Sequence, residues 1–164
     1  MSAGSGAKLF HRASGKGKSY WGPGDLYTFL VTGEESGGAY FAMEAVVPSG
    51  GGPPLHTHKN ENETFYVLDG RCTFYLGDEK TVAGPGDFVN IPTGTLHCFR
   101  NESAEPTRLI LTFTPSGIEK FFEETLEEAE DPTQPPPDNI AVVSARYAEV
   151  APKYGMQFFV DPNR

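Results

Sequence analysis

Two stretches, Gly50 to Gly70 (GGGPPLHTHKNENETFYVLDG) and Gly86 to Asn101 (GDFVNIPTGTLHCFRN), read as two halves of one site. The first carries His56, His58 and Glu63, the second carries His97, and together they hold three of the chain's four histidines. On an extended strand, residues i and i+2 face the same way, so the imidazoles of His56 and His58 reach one point. Glu63 opens the run Glu63-Thr64-Phe65-Tyr66-Val67-Leu68, rich in aromatic and β-branched residues, which ends at the hairpin signal Asp69-Gly70. His97 opens a second strand, His97-Cys98-Phe99-Arg100, after the turn-forming Pro92-Thr93-Gly94-Thr95. Three imidazole nitrogens and one carboxylate oxygen suit one divalent transition metal ion: Fe, Mn, Co, Ni, Cu or Zn.

The spacing is more specific than the composition. Gly50 is followed by five residues, His56-Thr57-His58, four residues, Glu63, six residues and Gly70. The second stretch runs Gly86, five residues, Pro92, one residue, Gly94, two residues, His97, three residues and Asn101. On these two motifs the chain resembles the cupin superfamily. The resemblance implies an all-β fold, a double-stranded β-helix (jelly-roll, cupin) barrel. It also implies that His56, His58, Glu63 and His97 are metal ligands. Glu61 fits the ligand spacing less well than Glu63 and is expected to be solvated. The plain alternative is that all four are polar side chains of an ordinary barrel.

A softer likeness covers the rest of the chain. A barrel followed by a phenylalanine-rich helix, a proline linker and a second helix resembles single-domain cupins related to quercetin dioxygenase. It implies a metal-dependent dioxygenase acting on a small aromatic or enol-containing molecule with dioxygen, in which Glu63 has a catalytic role as acceptor of the enol proton. The alternatives are a metal-dependent isomerase or decarboxylase, and a non-catalytic small-molecule-binding cupin. The alternation that turns Glu63 inward also turns Phe65 and Val67 inward, and Phe99 follows His97. These three are the expected apolar substrate pocket.

A chain of 164 residues can bury a core without disulfides. Its 19 glycines and 14 prolines suit a turn-rich all-β protein. A net charge of -9 argues against a nucleic-acid partner. No apolar stretch is long enough for a membrane span or a signal segment, and Cys72 and Cys98 form no CxxC unit. A cytoplasmic protein is the expectation.

Three segments are expected: 1-19, a flexible N-terminal segment with an edge strand near Lys8 to Arg12; 20-115, the barrel; and 116-164, a helical extension. Ile118, Phe121, Phe122, Leu126 and Ala129 follow helical spacing, and their helix is predicted to run through Ala129. Asp138 is the expected N-cap of a second helix carrying Ile140, Val143 and Tyr147, with Met156 to Val160 returning as a short strand. These helices are expected to seal the outside of the barrel rather than cover its mouth. Exposed strand edges and the aromatic N-terminal strands point to a homodimer.

Overall fold

Alternation of side chains builds the barrel. In the strand Thr107–Thr114, Thr107, Leu109, Leu111 and Phe113 are buried while the residues between them face outward. The strand Asn62–Asp69 behaves the same way, burying Glu63, Phe65 and Val67. The period of two places one apolar row per strand against the opposite sheet.

A computed structural model describes residues 9–160. Its strands are β1 (Ser19–Trp21), β2 (Leu26–Val31), β3 (Phe41–Val47), β4 (His56–His58), β5 (Asn62–Asp69), β6 (Cys72–Leu76), β7 (Glu79–Ala83), β8 (Phe88–Ile91), β9 (His97–Arg100) and β10 (Thr107–Thr114). Helix α1 (Glu119–Thr125), strand β11 (Glu127–Glu128), helix α2 (Ile140–Val150), a 3-10 turn (Ala151–Tyr154) and strand β12 (Met156–Phe158) follow. One sheet has the order β11-β1-β2-β3-β10-β5-β8 and the other β12-β4-β9-β6-β7, with antiparallel pairing throughout. The fold is the jelly-roll barrel with C-terminal helices that the motifs imply.

Several expectations change. Lys8 lies outside the described residues, and residues 9–12 form no strand. Arg12 is instead tied down by its side chain, whose Nε donates to the Leu30 carbonyl at 2.8 Å. The first helix stops at Thr125, and Leu126 is already extended (φ -107°, ψ 155°). The reason is tertiary: Glu127 and Glu128 pair with Trp21 and Tyr20, extending the larger sheet by one short edge strand. Leu126 and Ala129 stay buried without being helical. At the second helix the N-cap position belongs to Asn139, not Asp138, and no side chain caps it. The returning strand is present as β12, shorter than Met156 to Val160.

The helices also sit elsewhere than expected. Phe121 and Phe122 of α1 and Tyr147 of α2 line the same small cavity as His56, His58 and Glu63, so the helices close the mouth of the barrel. Phe122 is the pivot of this closure, with its ring centroid 5.5 Å from Tyr27, 6.5 Å from Phe29, 6.2 Å from Phe41 and 6.2 Å from Phe113. An amphipathic helix laid on a barrel buries its apolar face wherever apolar surface is left open. Here that surface is the barrel's own open end.

Between β1 and β2 the chain turns through Gly22-Pro23-Gly24-Asp25, closed by the Gly22 N–H donating to the Asp25 carbonyl at 2.8 Å. The Asp25 side chain is buried, and the Tyr27 hydroxyl donates to its Oδ2 at 2.9 Å. Burial pushes the carboxyl up from its ordinary 3.8 to about 7, with the Tyr27 hydrogen bond opposing. The folded protein therefore holds this proton where the unfolded chain has lost it. Asp25's contribution to stability is fully present below pH 3.8 and is lost as the pH rises through about 7. In denaturant titrations, the stability of Asp25→Asn relative to wild type is expected to improve between pH 4 and pH 7, by at most about 1.4 kcal/mol per pH unit. A difference independent of pH would contradict this.

Candidate metal centre

The histidines come from the smaller sheet and the carboxylate from the larger one. His56 on β4 stands directly opposite His97 on β9, which brings their rings to 4.4 Å between centroids. His58 lies on the same face of β4. Glu63, second residue of β5, reaches across the barrel from its register position beside Phe113 and Ile91. One ligand atom from each of the four lies within 4.8 Å of all the others, and every one of the four is buried.

The backbone fixes which ring nitrogen faces inward. His56 Nδ1 lies 2.8 Å from the Pro54 carbonyl, and His97 Nδ1 lies 2.9 Å from the Thr95 carbonyl. A carbonyl only accepts, so Nδ1 carries a proton in both rings, which leaves Nε2 of each as the nitrogen turned toward the cluster. The loops that supply these carbonyls are held in turn. The Gly94 N–H donates to the His58 carbonyl at 2.7 Å, and the Thr93 N–H donates to Asn62 Oδ1 at 2.9 Å. Asn101, last residue of the second motif, donates through its side-chain amide to the Val47 and Glu105 carbonyls. Its backbone exchanges hydrogen bonds with Gly50 and Gly51. Gly52 has φ 129°, and a Cβ there would lie 2.1 Å from the Phe99 carbonyl oxygen, so only glycine lets the two motif segments approach.

The electrostatics match a cation site. Burial drives the His56 imidazole down to about 3, helped by the nearby His97 and His58, so this ring is neutral as a ligand must be. Burial alone would raise the Glu63 carboxyl, but the imidazoles of His58 and His97 outweigh it and hold the group below its ordinary value. His97 Nε2 is 2.9 Å and His58 Nε2 is 3.3 Å from the same Glu63 oxygen. Both ring nitrogens of His58 are buried without a hydrogen-bond partner. A cation bound beside the Glu63 carboxylate would satisfy one of them, Nε2. The donor set and its geometry fit a single divalent metal ion.

Glu61 corrects a sequence expectation. It is buried rather than solvated, and its Oε2, 3.8 Å from His58 Nδ1, has no hydrogen-bond partner. The sequence signal was only its place within the ligand motif. A carboxylate behind a ligating imidazole orients the ring and raises its basicity. Glu61→Gln is therefore expected to weaken metal binding about 10-fold, measured by competition with a chromogenic chelator. Unchanged affinity would mean that Glu61 only fills space.

Of the expected pocket residues, Phe99 lines the small cavity with His56, His58 and Glu63. Phe65 and Val67 lie in the barrel core, and Phe65 stands behind Phe99 with ring centroids 5.3 Å apart. The cavity walls come instead from Met43, Leu111, Phe113, Phe121 and Phe122. Strand parity marks inward residues but not their depth along the barrel.

Residues 43–113 match the family model of the cupin domain. The chain belongs to the cupin superfamily. This cupin is 31% identical over 141 residues to quercetin 2,3-dioxygenase from Bacillus subtilis, an alignment covering 84% of this chain and 41% of that protein. It therefore spans less than half the length of that relative. Among solved structures, the polyketide cyclase RemF from Streptomyces resistomycificus superposes with a TM-score of 0.58 at 22% identity, covering 66% of this chain and 81% of that one. A cupin from Shewanella frigidimarina gives 0.56 at 21% identity, covering 69% and 96%. At such identities these structures speak for the fold alone. Among the described residues no helix is long and apolar enough to cross a membrane.

Proposed function

We propose that this cupin is a metal-dependent dioxygenase acting on a small aromatic or enol-containing molecule. The carrying observation is that a buried cluster of three imidazoles and a carboxylate is walled by aromatic rings, in a chain 31% identical over 141 residues to a quercetin 2,3-dioxygenase. In this reading His56, His58, Glu63 and His97 hold the ion. When bound, a redox-active ion would supply electron transfer between substrate and dioxygen. The chain's own residues do the rest. Glu63, ionised in its buried setting, accepts the proton of an enolic hydroxyl brought against it. Phe99, Phe113, Phe121 and Phe122 exclude water from the surroundings of Glu63 and the two histidines beside it. The Nδ1–H groups of His56 and His97, held by backbone carbonyls, keep the ring planes fixed while the proton moves.

Oxygen uptake tests this reading. Protein reconstituted separately with iron, manganese, cobalt, nickel and copper is expected to consume dioxygen when quercetin is added, and Glu63→Gln to lose that uptake. Conversion of substrate without oxygen consumption would move the function to an isomerase or decarboxylase. Binding without conversion by any metal form would make it a binding protein.

The same reading includes a homodimer in the cytoplasm. Tyr66 and Leu68 of β5 and Phe88 of β8 are all exposed on neighbouring strands at one edge of the larger sheet. Apolar side chains gathered at a sheet edge favour a covering partner, and sedimentation analysis of Phe88→Glu beside wild type would test for one.

A further inference from the structure

The cavity lined by His56, His58 and Glu63 has a volume of about 40 Å³. A site that closes around a single benzene ring needs roughly 150 Å³. The body of any aromatic substrate must therefore lie elsewhere. A second chamber of about 770 Å³ stands beside the first, within the usual size of small-molecule sites. Tyr27, Pro53, Tyr147 and Phe158 line both, so a single wall of four side chains separates them.

The second chamber has the composition of a binding site. The proline-rich segment 48–54, Leu55, Ile140 and Phe159 supply apolar surface. Three polar atoms among its lining residues, Asp25 Oδ1, Tyr147 Oη and Arg100 Nε, are buried and have no hydrogen-bond partner. Asp25 and Tyr147 are themselves only 2% and 6% exposed. Buried polar groups are ordinarily paired, so three unpaired ones among the residues that line one chamber mark its wall as polar as well as apolar. Asp25 Oδ1 donates while the carboxyl is protonated and accepts once it is ionised, Arg100 donates and a tyrosine hydroxyl does both, a set able to pair with phenolic hydroxyls.

The wall also has a part able to yield. Phe158 ends the three-residue edge strand β12, is only half-buried, and packs its ring 5.6 Å from His56 and 6.0 Å from Tyr147. Of the four wall residues it is the one carried on an edge strand.

We infer that the larger chamber binds the body of the substrate, a flat multi-ring molecule carrying phenolic hydroxyls, with its reacting edge passing Phe158 toward His56 and Glu63. The inference rests on the small-molecule dioxygenase reading for its substrate class, but binding to the chamber requires no metal.

Calorimetric titration of metal-stripped protein with quercetin, and with flavone, which lacks its hydroxyls, is the test. Ser144 lines only the larger chamber and is exposed on α2, so Ser144→Trp places an indole in the chamber while leaving the fold and the four-residue cluster alone. The expected result is that Ser144→Trp weakens both probes at least tenfold without changing metal uptake, and that Asp25→Asn weakens quercetin but not flavone. Wild-type affinity for quercetin in Ser144→Trp, or no binding of either probe to wild type, would overturn the inference. Chamber-dependent binding without oxygen uptake by the metal-loaded protein would overturn the dioxygenase reading and leave the chamber standing. Oxygen uptake with unchanged KM in Ser144→Trp would do the reverse.

Discussion

Phe122→Ala is expected to destabilise the protein by about 3–5 kcal/mol, which for a chain of this size lowers Tm by roughly 10 °C. The ring joins α1 to three barrel strands, β2 through Tyr27 and Phe29, β3 through Phe41 and β10 through Phe113, and it is 6% exposed. Truncation removes its apolar burial and leaves a cavity that the neighbouring rings, fixed on strands, cannot collapse into. Phe122→Leu, which keeps most of the volume, is expected to recover more than half of the loss. Because Phe122 also walls the small cavity, Phe122→Ala should expose the cluster to water. Thermal unfolding followed by circular dichroism checks the first point. A loss below about 1 kcal/mol would show that α1 lies on the barrel without supporting it.

His97→Ala is expected to weaken metal binding by at least about 100-fold, more than the loss of an orienting group behind a ligand. The imidazole is the only group of the cluster supplied by the second motif, and its Nε2 stands 2.9 Å from Glu63. Without it, only His56, His58 and Glu63 of the cluster remain. Titration with cobalt, followed by its visible absorption, reports affinity and coordination together. Retention within tenfold of wild type would place the ion away from the proposed ligands.

The cluster was legible in the sequence because each of its requirements is local. His56 and His58 share a strand face by parity, Glu63 stands at the start of the next strand, and glycines mark the turns that flank the two motifs. Only the pairing of His56 with His97 is long-range, and the second motif signalled it. The places where the reading failed are those where distant contacts decide. Helical spacing continued through Ala129, yet β1 offered backbone partners to Glu127 and Glu128 and drew them into a strand. Glu61 looked like a surface carboxylate because nothing local shows that His58 stands 3.8 Å from it. The apolar face of α1 was visible, but not that the open end of the barrel was the surface left for it to cover.

The wall between the two cavities was the least legible feature of all. Its residues Tyr27, Pro53, Tyr147 and Phe158 come from four separate segments of the chain. No pattern of period two or 3.6 joins them. They meet because β12 pairs with β4, setting Phe158 opposite His56, and because α2 lays Tyr147 against Phe158.

The central claim is that His56, His58, Glu63 and His97 hold one divalent metal ion. Its most direct test is the elemental content of protein purified without chelator or affinity nickel, compared with a His56→Ala/His97→Ala double variant prepared in the same way. Near-stoichiometric metal in the wild type that is absent from the variant is the predicted result. Equal metal content in the two proteins, even after reconstitution with each candidate ion, would contradict it.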